Sequence, residues 1–156
     1  MSAEENKAEP EIPEEFHKII KDFAIHTGCP YARDKITYRA GTGDAGYKFR
    51  DEIKNNKRSF DKPGILAMDN EQKPNSNGSK FFITVEAKPD WKSFATIFGE
   101  VTGGMDIVKK INALPTFQNP SLGLLHSPID DVFIKSIEIL QKRDHEYKVT
   151  KIEDEK

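Results

Sequence analysis

The sequence predicts a mainly β domain with one recognisable helix. Two short apolar runs, Ile65–Met68 and residues 81–85, flank a polar stretch rich in Pro, Asn, Gly and Ser, as in two strands joined by a turn-rich loop. Apolar residues over 105–114 recur at helical spacing, and Pro115 follows them. Three further apolar segments are expected to be extended: residues 16–30, 95–101 and 130–140.

Composition limits the class of protein. The 156 residues suit one domain, and a formal net charge of −2 gives no general attraction to nucleic acid. Cys29 is the single cysteine, so no internal disulfide can form and a reducing compartment is expected. We find no apolar run of about 18 residues and no signal segment. These features predict a cytoplasmic or other intracellular protein that makes no membrane contact.

The chain divides into three parts by composition. Residues 1–15 are strongly acidic and contain Pro10 and Pro13, so a disordered tail is expected, with a partner-binding acidic arm as the alternative. Residues 16–140 carry the apolar segments and form the predicted domain. Residues 141–156 are charged, with little to bury, and are expected to be a solvated tail.

The strand at 81–85 presents two different faces. In an extended chain Phe81, Ile83 and Val85 point to one side, and Phe82 points to the other. If the first three form the core, Phe82 is either packed by a neighbouring loop or is the floor of a recognition groove.

The last predicted strand contains a change of phase. Val132 and Ile134 share one face, while Ile137 and Ile139 share the other, which predicts a bulge between them.

Several patterns are too weak to define a site. Basic and aromatic residues alternate over 31–40, which would suit RNA or an acidic partner, but a solvated loop is the favoured interpretation. The glycines of residues 41–46 lack the strand and helix of a dinucleotide site. His17, His26 and Cys29 have no fourth ligand at a familiar zinc spacing, so neither metal nor cofactor is expected.

Five segments resemble one family. G-I-L-x-M-x-N followed by P-N-S-N-G-S-x-F-F-I-T, from Gly64 onward, resembles the signature of the cyclophilins, which are prolyl isomerases. Residues 16–28, 41–52, 95–101 and the helical segment agree with it, so the resemblance extends over residues 16–140. It implies an antiparallel β-barrel, closed or nearly closed, with at least one packing helix. Cyclophilins also have two strands and a helix, roughly forty residues, before the motif that begins at Phe16.

Three explanations for this difference remain open. The chain is truncated, or the tail around residues 147–152 closes the barrel, or a partner supplies a strand.

The resemblance implies a set of site residues. Lys18 stands at the main catalytic arginine of the family and His26 at a glutamine, so these two are the catalytic candidates. Lysine keeps the charge but loses the planar, forked donors of arginine. The candidates for substrate binding are Phe23 and Phe82, which would form the proline pocket, together with Asp69, Asn70, Trp91 and Ala95.

Two of these candidates depend on how the chain is aligned with the family pattern. Ala95 replaces the groove histidine in an alignment without gaps. Trp91 is either a packing residue or, with a one-residue gap, the family's tryptophan. We further hypothesise that Lys18 pairs with Asp69.

The resemblance implies a prolyl isomerase or folding helper that acts on X-Pro bonds of peptides or unfolded proteins, with low activity because the polar residues are changed. The alternative is a non-catalytic module that binds Pro- or Gly-containing segments within an assembly.

Overall fold

The structure, a computed structural model, describes residues 14–33, 41–91, 94–122 and 124–153. Within these residues it is mainly β, with one helix longer than a single turn. The elements follow in chain order: β1 Glu14–Glu15, β2 Lys18–Ile20, β3 Ala24–Thr27, α1 Pro30–Arg33, β4 Ile65–Met68, β5 Phe81–Thr84, β6 Ile97–Glu100, α2 Met105–Asn112, β7 Thr116–Asn119, a 3-10 turn Pro120–Leu122, β8 Leu124–Pro128 and β9 Phe133–Ile134.

Five strands form one antiparallel sheet in the order β2-β3-β5-β4-β6. The predicted pair at its centre is confirmed, since β4 and β5 pair with Ala67 opposite Phe82. On the other side of β5, Phe82 lies opposite His26 of β3. Strands β7 and β8 pair with each other, and β8 lies close to β2.

Strand β5 separates two apolar clusters. Phe82 packs in one cluster with Phe60, Ala95 and their neighbours, whereas Ile83 packs in the other with residues of α2. Phe82 is therefore packed by a neighbouring loop and also lies at the wall of a cavity. The loop residue Phe60 stacks on its ring, with centroids 6.1 Å apart and planes 10° apart, and the same ring lines a cavity.

The predicted helix is confirmed at Met105–Asn112. Its last residue, Asn112, is 6% exposed and ties the helix to the β2–β3 turn. The side-chain amide Nδ2 donates to the carbonyl of Ile20 at 2.8 Å, and Oδ1 accepts from the backbone N–H of Asp22 at 3.0 Å. These two hydrogen bonds position the turn that leads into Phe23.

The expectation of a strand over residues 130–140 is largely wrong. Only Phe133–Ile134 forms β9, which pairs with β1 through Glu14 and Glu15. Residues 135–140 form no strand, and the predicted bulge is absent there, because no described strand lies beside them to complete a ladder. Three apolar side chains of this segment are strongly exposed: Ile137, Ile139 and Leu140.

Both ends of the chain depart from the predicted division. Glu14 and Glu15, placed in the acidic tail, lie in a strand. Residues 141–153 contain no helix or strand, but the N–H of Ile152 donates to the carbonyl of Lys48 at 2.7 Å. Lys151 Nζ lies 4.9 Å from the centre of the Tyr47 ring. The tail therefore contacts the domain without forming a strand.

Two predictions fall wholly or mainly outside the described residues. Most of the basic-aromatic segment, residues 34–40, lies there, as do residues 1–13 of the acidic tail. None of the helices in the described part of the chain has the length and apolar character needed to cross a bilayer.

Candidate active site

A cavity of about 310 Å³ opens beside the centre of the five-stranded sheet. Its walls come from β2, β3, the ends of β4 and β5, and β8. The residues used below that line it are His17, Lys18, Phe23, His26, Met68, Asp69, Asn70, Phe82 and Phe94. Six of the eight predicted site residues are among them.

The apolar wall is formed by Phe23 and Phe82. Phe23 follows the β2–β3 turn, and Phe82 lies within β5, yet the ring centroids are 5.9 Å apart. Phe82 is only 2% exposed and forms the floor, whereas the half-buried Phe23 is the more accessible ring. Phe23 and Phe82, which are 59 positions apart in the chain, thus form one apolar surface.

Trp91 and Ala95 do not belong to this cavity. Trp91 packs edge-on against the ring of Phe23, with centroids 4.6 Å apart, and lies 4.3 Å from the ring of Phe94. Both Trp91 and Ala95 line a neighbouring cavity of about 270 Å³. Their predicted role in substrate contact is therefore not supported by their position. Trp91 instead supports the back of Phe23.

The polar wall contains a histidine–carboxylate pair. His26 Nδ1 lies 2.9 Å from Asp69 Oδ2, and the backbone N–H of Glu71 donates to Asp69 Oδ1 at 3.1 Å. The hypothesis of a Lys18–Asp69 ion pair is wrong for the described residues, because the carboxylate bonds to His26 instead. In the sheet order His26 lies on β3, one strand nearer to β4 than Lys18 on β2.

Burial decides the charge of this pair. It lowers the pKa of His26 below the ordinary 6.5, and the charges of Lys18 and Lys80 act in the same direction, although Asp69 opposes them. Burial also disfavours the charged form of Asp69, but the hydrogen bond from His26 holds the pKa of that carboxyl below its usual range. At neutral pH the pair is thus a neutral imidazole that donates to a carboxylate.

Lys18 is the cation of the site. It lies on β2, directly opposite His26 in the register, so both side chains stand on the same face of the sheet. It lines the cavity as a half-buried residue.

The loop after β4 is held in place through Asp51. Asp51 Oδ1 accepts from Asn77 Nδ2 at 2.9 Å, and Oδ2 accepts from the N–H of Asn75 at 2.8 Å. Asn70 is 6% exposed, and its Oδ1 accepts from the N–H of Gln72 at 3.0 Å. These bonds fix the backbone around Asn70 along one rim of the cavity.

A buried lysine fixes the other side of that loop. Lys80 is 8% exposed, and its Nζ donates to the carbonyl of Gly41 at 3.1 Å and to Glu71 Oε1. It connects the turn after β4 to residue 41, which lies against His17. Lys80 is therefore a structural cation rather than a second charge free for a ligand.

Sequence reasoning did not assign several residues of this region to the site, and four of them are described here. Met68 and Phe94 line the cavity, Phe60 stacks under Phe82, and His17 is 4% exposed at its edge. Met68 follows two-residue alternation with Leu66 and was recognisable as a strand residue only. Phe60 is a single aromatic residue in a polar loop, and this isolated aromatic side chain was the feature of the sequence that could have indicated a packing role.

The described residues contain no group of three or more His, Cys, Asp or Glu side chains arranged to hold a metal. Cys29 lies elsewhere, fully buried, where its Sγ accepts from the backbone N–H groups of Gly41 and Gly43 at 3.1 and 3.4 Å.

Comparison with known proteins identifies the family. The family described as "Cyclophilin type peptidyl-prolyl cis-trans isomerase/CLD" matches residues 14–139. The chain therefore belongs to the cyclophilin-type peptidyl-prolyl isomerase family, as the motifs predicted.

Individual relatives agree with this assignment. Peptidyl-prolyl cis-trans isomerase CYP18-2 of Arabidopsis thaliana is 42% identical over 101 residues, which is 65% of this chain and 58% of the relative. Peptidyl-prolyl cis-trans isomerase B of Streptomyces anulatus is 40% identical over 124 residues, which is 78% of this chain and 63% of the relative. This chain thus spans about three fifths of either relative.

A solved structure shares the fold. The crystal structure of a Cryptosporidium parvum cyclophilin-type peptidyl-prolyl cis-trans isomerase, determined in the presence of the dipeptide Ala-Pro, aligns with a TM-score of 0.67 and 33% identity. The alignment covers 85% of this chain and 78% of that one. The antiparallel sheets described above thus have the cyclophilin arrangement.

Proposed function

We propose that this protein binds proline-containing peptides in the 310 Å³ cavity and accelerates rotation about the X-Pro bond, more slowly than a site with an arginine at position 18. The observation that carries this proposal is the convergence of the Phe23 and Phe82 rings, 5.9 Å apart, beside the half-buried Lys18. Family membership and the isomerase names of the relatives support it.

The chemistry sets simple requirements. Rotation about a peptide C–N bond crosses a barrier of about 18–20 kcal/mol because amide resonance is lost, and proline is the residue for which both isomers are accessible. No covalent bond is broken, so no nucleophile or metal is needed. A catalyst must hold the pyrrolidine ring in an apolar pocket and place a charge where it favours the twisted amide.

The residues of the cavity divide these tasks. Phe23 and Phe82 hold the proline ring, and the fixed backbone around Asn70 aligns the peptide. Lys18 supplies the positive charge. Because an ammonium group lacks the planar pair of donors of a guanidinium, we expect weaker stabilisation of the twisted amide. Loss of one preorganised donor typically lowers a rate by about 10²–10³.

The test measures proline exchange directly. We expect substoichiometric protein to speed cis–trans exchange of an Ala-Pro peptide in NMR exchange spectra. Phe23→Ala should weaken peptide binding, whereas Phe98→Ala, which changes an exposed ring outside the cavity, should not. Absence of both binding and faster exchange would overturn the proposal.

A non-catalytic binding module remains the second candidate. It is favoured by the hydrogen bond between His26 and Asp69, because among the described residues that line the cavity Lys18 is then the single cation left to stabilise a twisted amide. Saturable peptide binding with an unchanged exchange rate would select this function, and a partner assembly would then supply the Pro- or Gly-containing segment.

The setting of the protein is also a proposal. A single, buried cysteine suits a cytoplasmic or other reducing compartment. The net charge of −2 disfavours nucleic acid as a partner. Unfolded proteins that expose X-Pro bonds are the expected substrates.

A further inference from the structure

We propose that His26, held by Asp69, accepts a hydrogen bond from a peptide N–H next to the proline, so that the cavity selects ligands that present this donor. The proposal rests on peptide binding at the proposed site, since His26 lines the same cavity. It concerns how the ligand is recognised rather than how the amide rotates. Asp69 acts here as a positioning residue.

The hydrogen bond to Asp69 determines which nitrogen carries the proton. An ionised carboxylate accepts hydrogen bonds and donates none. His26 Nδ1, 2.9 Å from Asp69 Oδ2, must therefore be the protonated nitrogen. A neutral imidazole has a single N–H, so Nε2 carries a lone pair and is an acceptor.

The acceptor atom is buried and has no partner within the described part of the chain. His26 is 4% exposed, and its Nε2 makes no hydrogen bond there. The ring stands 5.3 Å from the ring of Phe82 and 6.1 Å from that of Phe23, between centroids. Buried polar atoms without partners are uncommon and unfavourable, so a ligand donor that reaches Nε2 satisfies it.

Lys18 and His26 together match the two polar groups of a peptide unit. They are directly opposite each other on β2 and β3, which places their side chains side by side on one face. Lys18 is a donor that suits a carbonyl oxygen, and His26 Nε2 is an acceptor that suits an N–H. A second carbonyl at His26 would face a lone pair instead and would be rejected.

Proton transfer is not the role of this pair. Rotation of an amide moves no proton between atoms, so a general base has nothing to accept. The His26–Asp69 pair therefore contributes orientation and selectivity. The measurement that reports on it is which ring nitrogen of His26 carries the proton.

The first experiment records the tautomer of His26. In ¹⁵N NMR spectra of the protein at neutral pH, we expect Nδ1 protonated and Nε2 unprotonated. Asp69→Ala should yield mixed tautomers, whereas Asp61→Ala, at an exposed carboxylate away from the cavity, should leave the spectrum unchanged. A proton on Nε2 in the unmodified protein overturns the inference whatever the peptide results are.

The second experiment removes the ligand donor. An Ala-Pro peptide is compared with two ester analogues, in which oxygen replaces the N–H of the residue before the proline or of the residue after it. One analogue should bind about tenfold more weakly than the peptide, as expected for loss of one buried hydrogen bond. With His26→Phe, which has no acceptor, the peptide and both analogues should bind alike. If that variant does not fold, Asp69→Ala gives the same comparison, with reduced discrimination expected.

The outcomes separate this inference from the proposed function. If the peptide binds and neither ester loses affinity, the inference is wrong and the proposed function stands. If the peptide does not bind at all, both are wrong. If the esters lose affinity equally in the unmodified protein and in His26→Phe, another group accepts the N–H and the inference is again wrong.

Discussion

The two walls of the cavity follow different rules. The apolar wall pairs Phe23 with Phe82 at family positions, and the packing of Phe60 and Trp91 behind these rings supports it. The polar wall contains Lys18 and His26, and its hydrogen bonds centre on Asp69. The first wall depends on shape and the second on proton positions.

This difference separates binding from catalysis. A pocket that accepts a proline ring needs only apolar surface of the right size, which tolerates changes elsewhere. Stabilisation of a twisted amide needs donors at defined positions, which a single substitution can displace. The predictions below test whether the two walls can be altered independently, from the largest expected effect to the smallest.

Truncation of Phe82, the floor of the cavity, should lower both the stability of the protein and its binding of peptide. Phe82→Ala removes a ring that is 2% exposed and stacked on Phe60, so we expect a loss of about 3–5 kcal/mol in the free energy of unfolding. Urea unfolding measures this, and peptide binding should be lost as well. Phe98→Ala, at a ring 47% exposed, is the control and should cost little. Equal effects of the two substitutions would contradict the role of Phe82 as the floor.

Acid should destabilise the polar edge through His17. Burial lowers its pKa from 6.5 to about 3, so the unfolded chain binds this proton more readily than the folded one between these values. Stability from this group is present above pH 6.5 and is lost as pH falls towards 3, by up to about 2 kcal/mol at pH 5. His17→Gln should flatten the decline in urea-unfolding curves, whereas His145→Gln, at an exposed ring, should not. A decline of unchanged steepness would show that His17 is already charged when folded.

Replacing Lys18 by arginine, which has a planar pair of donors, should raise the rate of isomerisation without changing peptide affinity. Lys18→Arg is expected to raise the exchange rate of an Ala-Pro peptide by about tenfold, with little change in affinity, because only the stabilisation of the twisted amide improves. Lys21→Arg, three residues along and exposed, is the matched control. No gain in rate would mean that lysine is not the limiting defect of the polar wall.

A titration outside the cavity gives the smallest effect. Burial, and then the charge of Asp131, raise the pKa of Glu15 from 4.5 to about 7. The corresponding stability is present below pH 4.5 and is lost as pH rises through 7. Glu15→Gln should therefore be more stable than the unmodified protein at pH 8 and equal to it below pH 4.5. We expect a difference of only about 1 kcal/mol at pH 8, because solvent screens charges at the short β1–β9 pair. Glu138→Gln, at an exposed carboxylate, serves as the control. No difference at pH 8 would place the carboxylate of Glu15 in water.

Local patterns predicted most of the secondary structure. The β4–β5 pair, the extended segments of β2 and β3 and the helix α2 were readable because each shows a regular apolar period. The strand expected over residues 130–140 does not extend beyond Ile134. The alternation of Ile137 and Ile139 shows only that a strand is compatible with the sequence. Whether it forms depends on a neighbouring strand that supplies the ladder.

The site was predicted in part. Six of the candidates from the motif resemblance line the cavity: Lys18, Phe23, His26, Asp69, Asn70 and Phe82. The other two candidates, Trp91 and Ala95, line a neighbouring cavity. Phe94 lines the cavity instead, because it packs in the same cluster as Phe23 and Phe60.

By itself the sequence determined several of the extended segments, the position of the helix and the motifs by which the chain resembles the cyclophilins. These properties depend on local periods and on residue identity. Only the tertiary structure decided that Asp69 bonds to His26 rather than to Lys18, and that Trp91 stands behind the pocket. The physical reason is that a hydrogen bond depends on a few tenths of an ångström between strands, and register and packing set that distance.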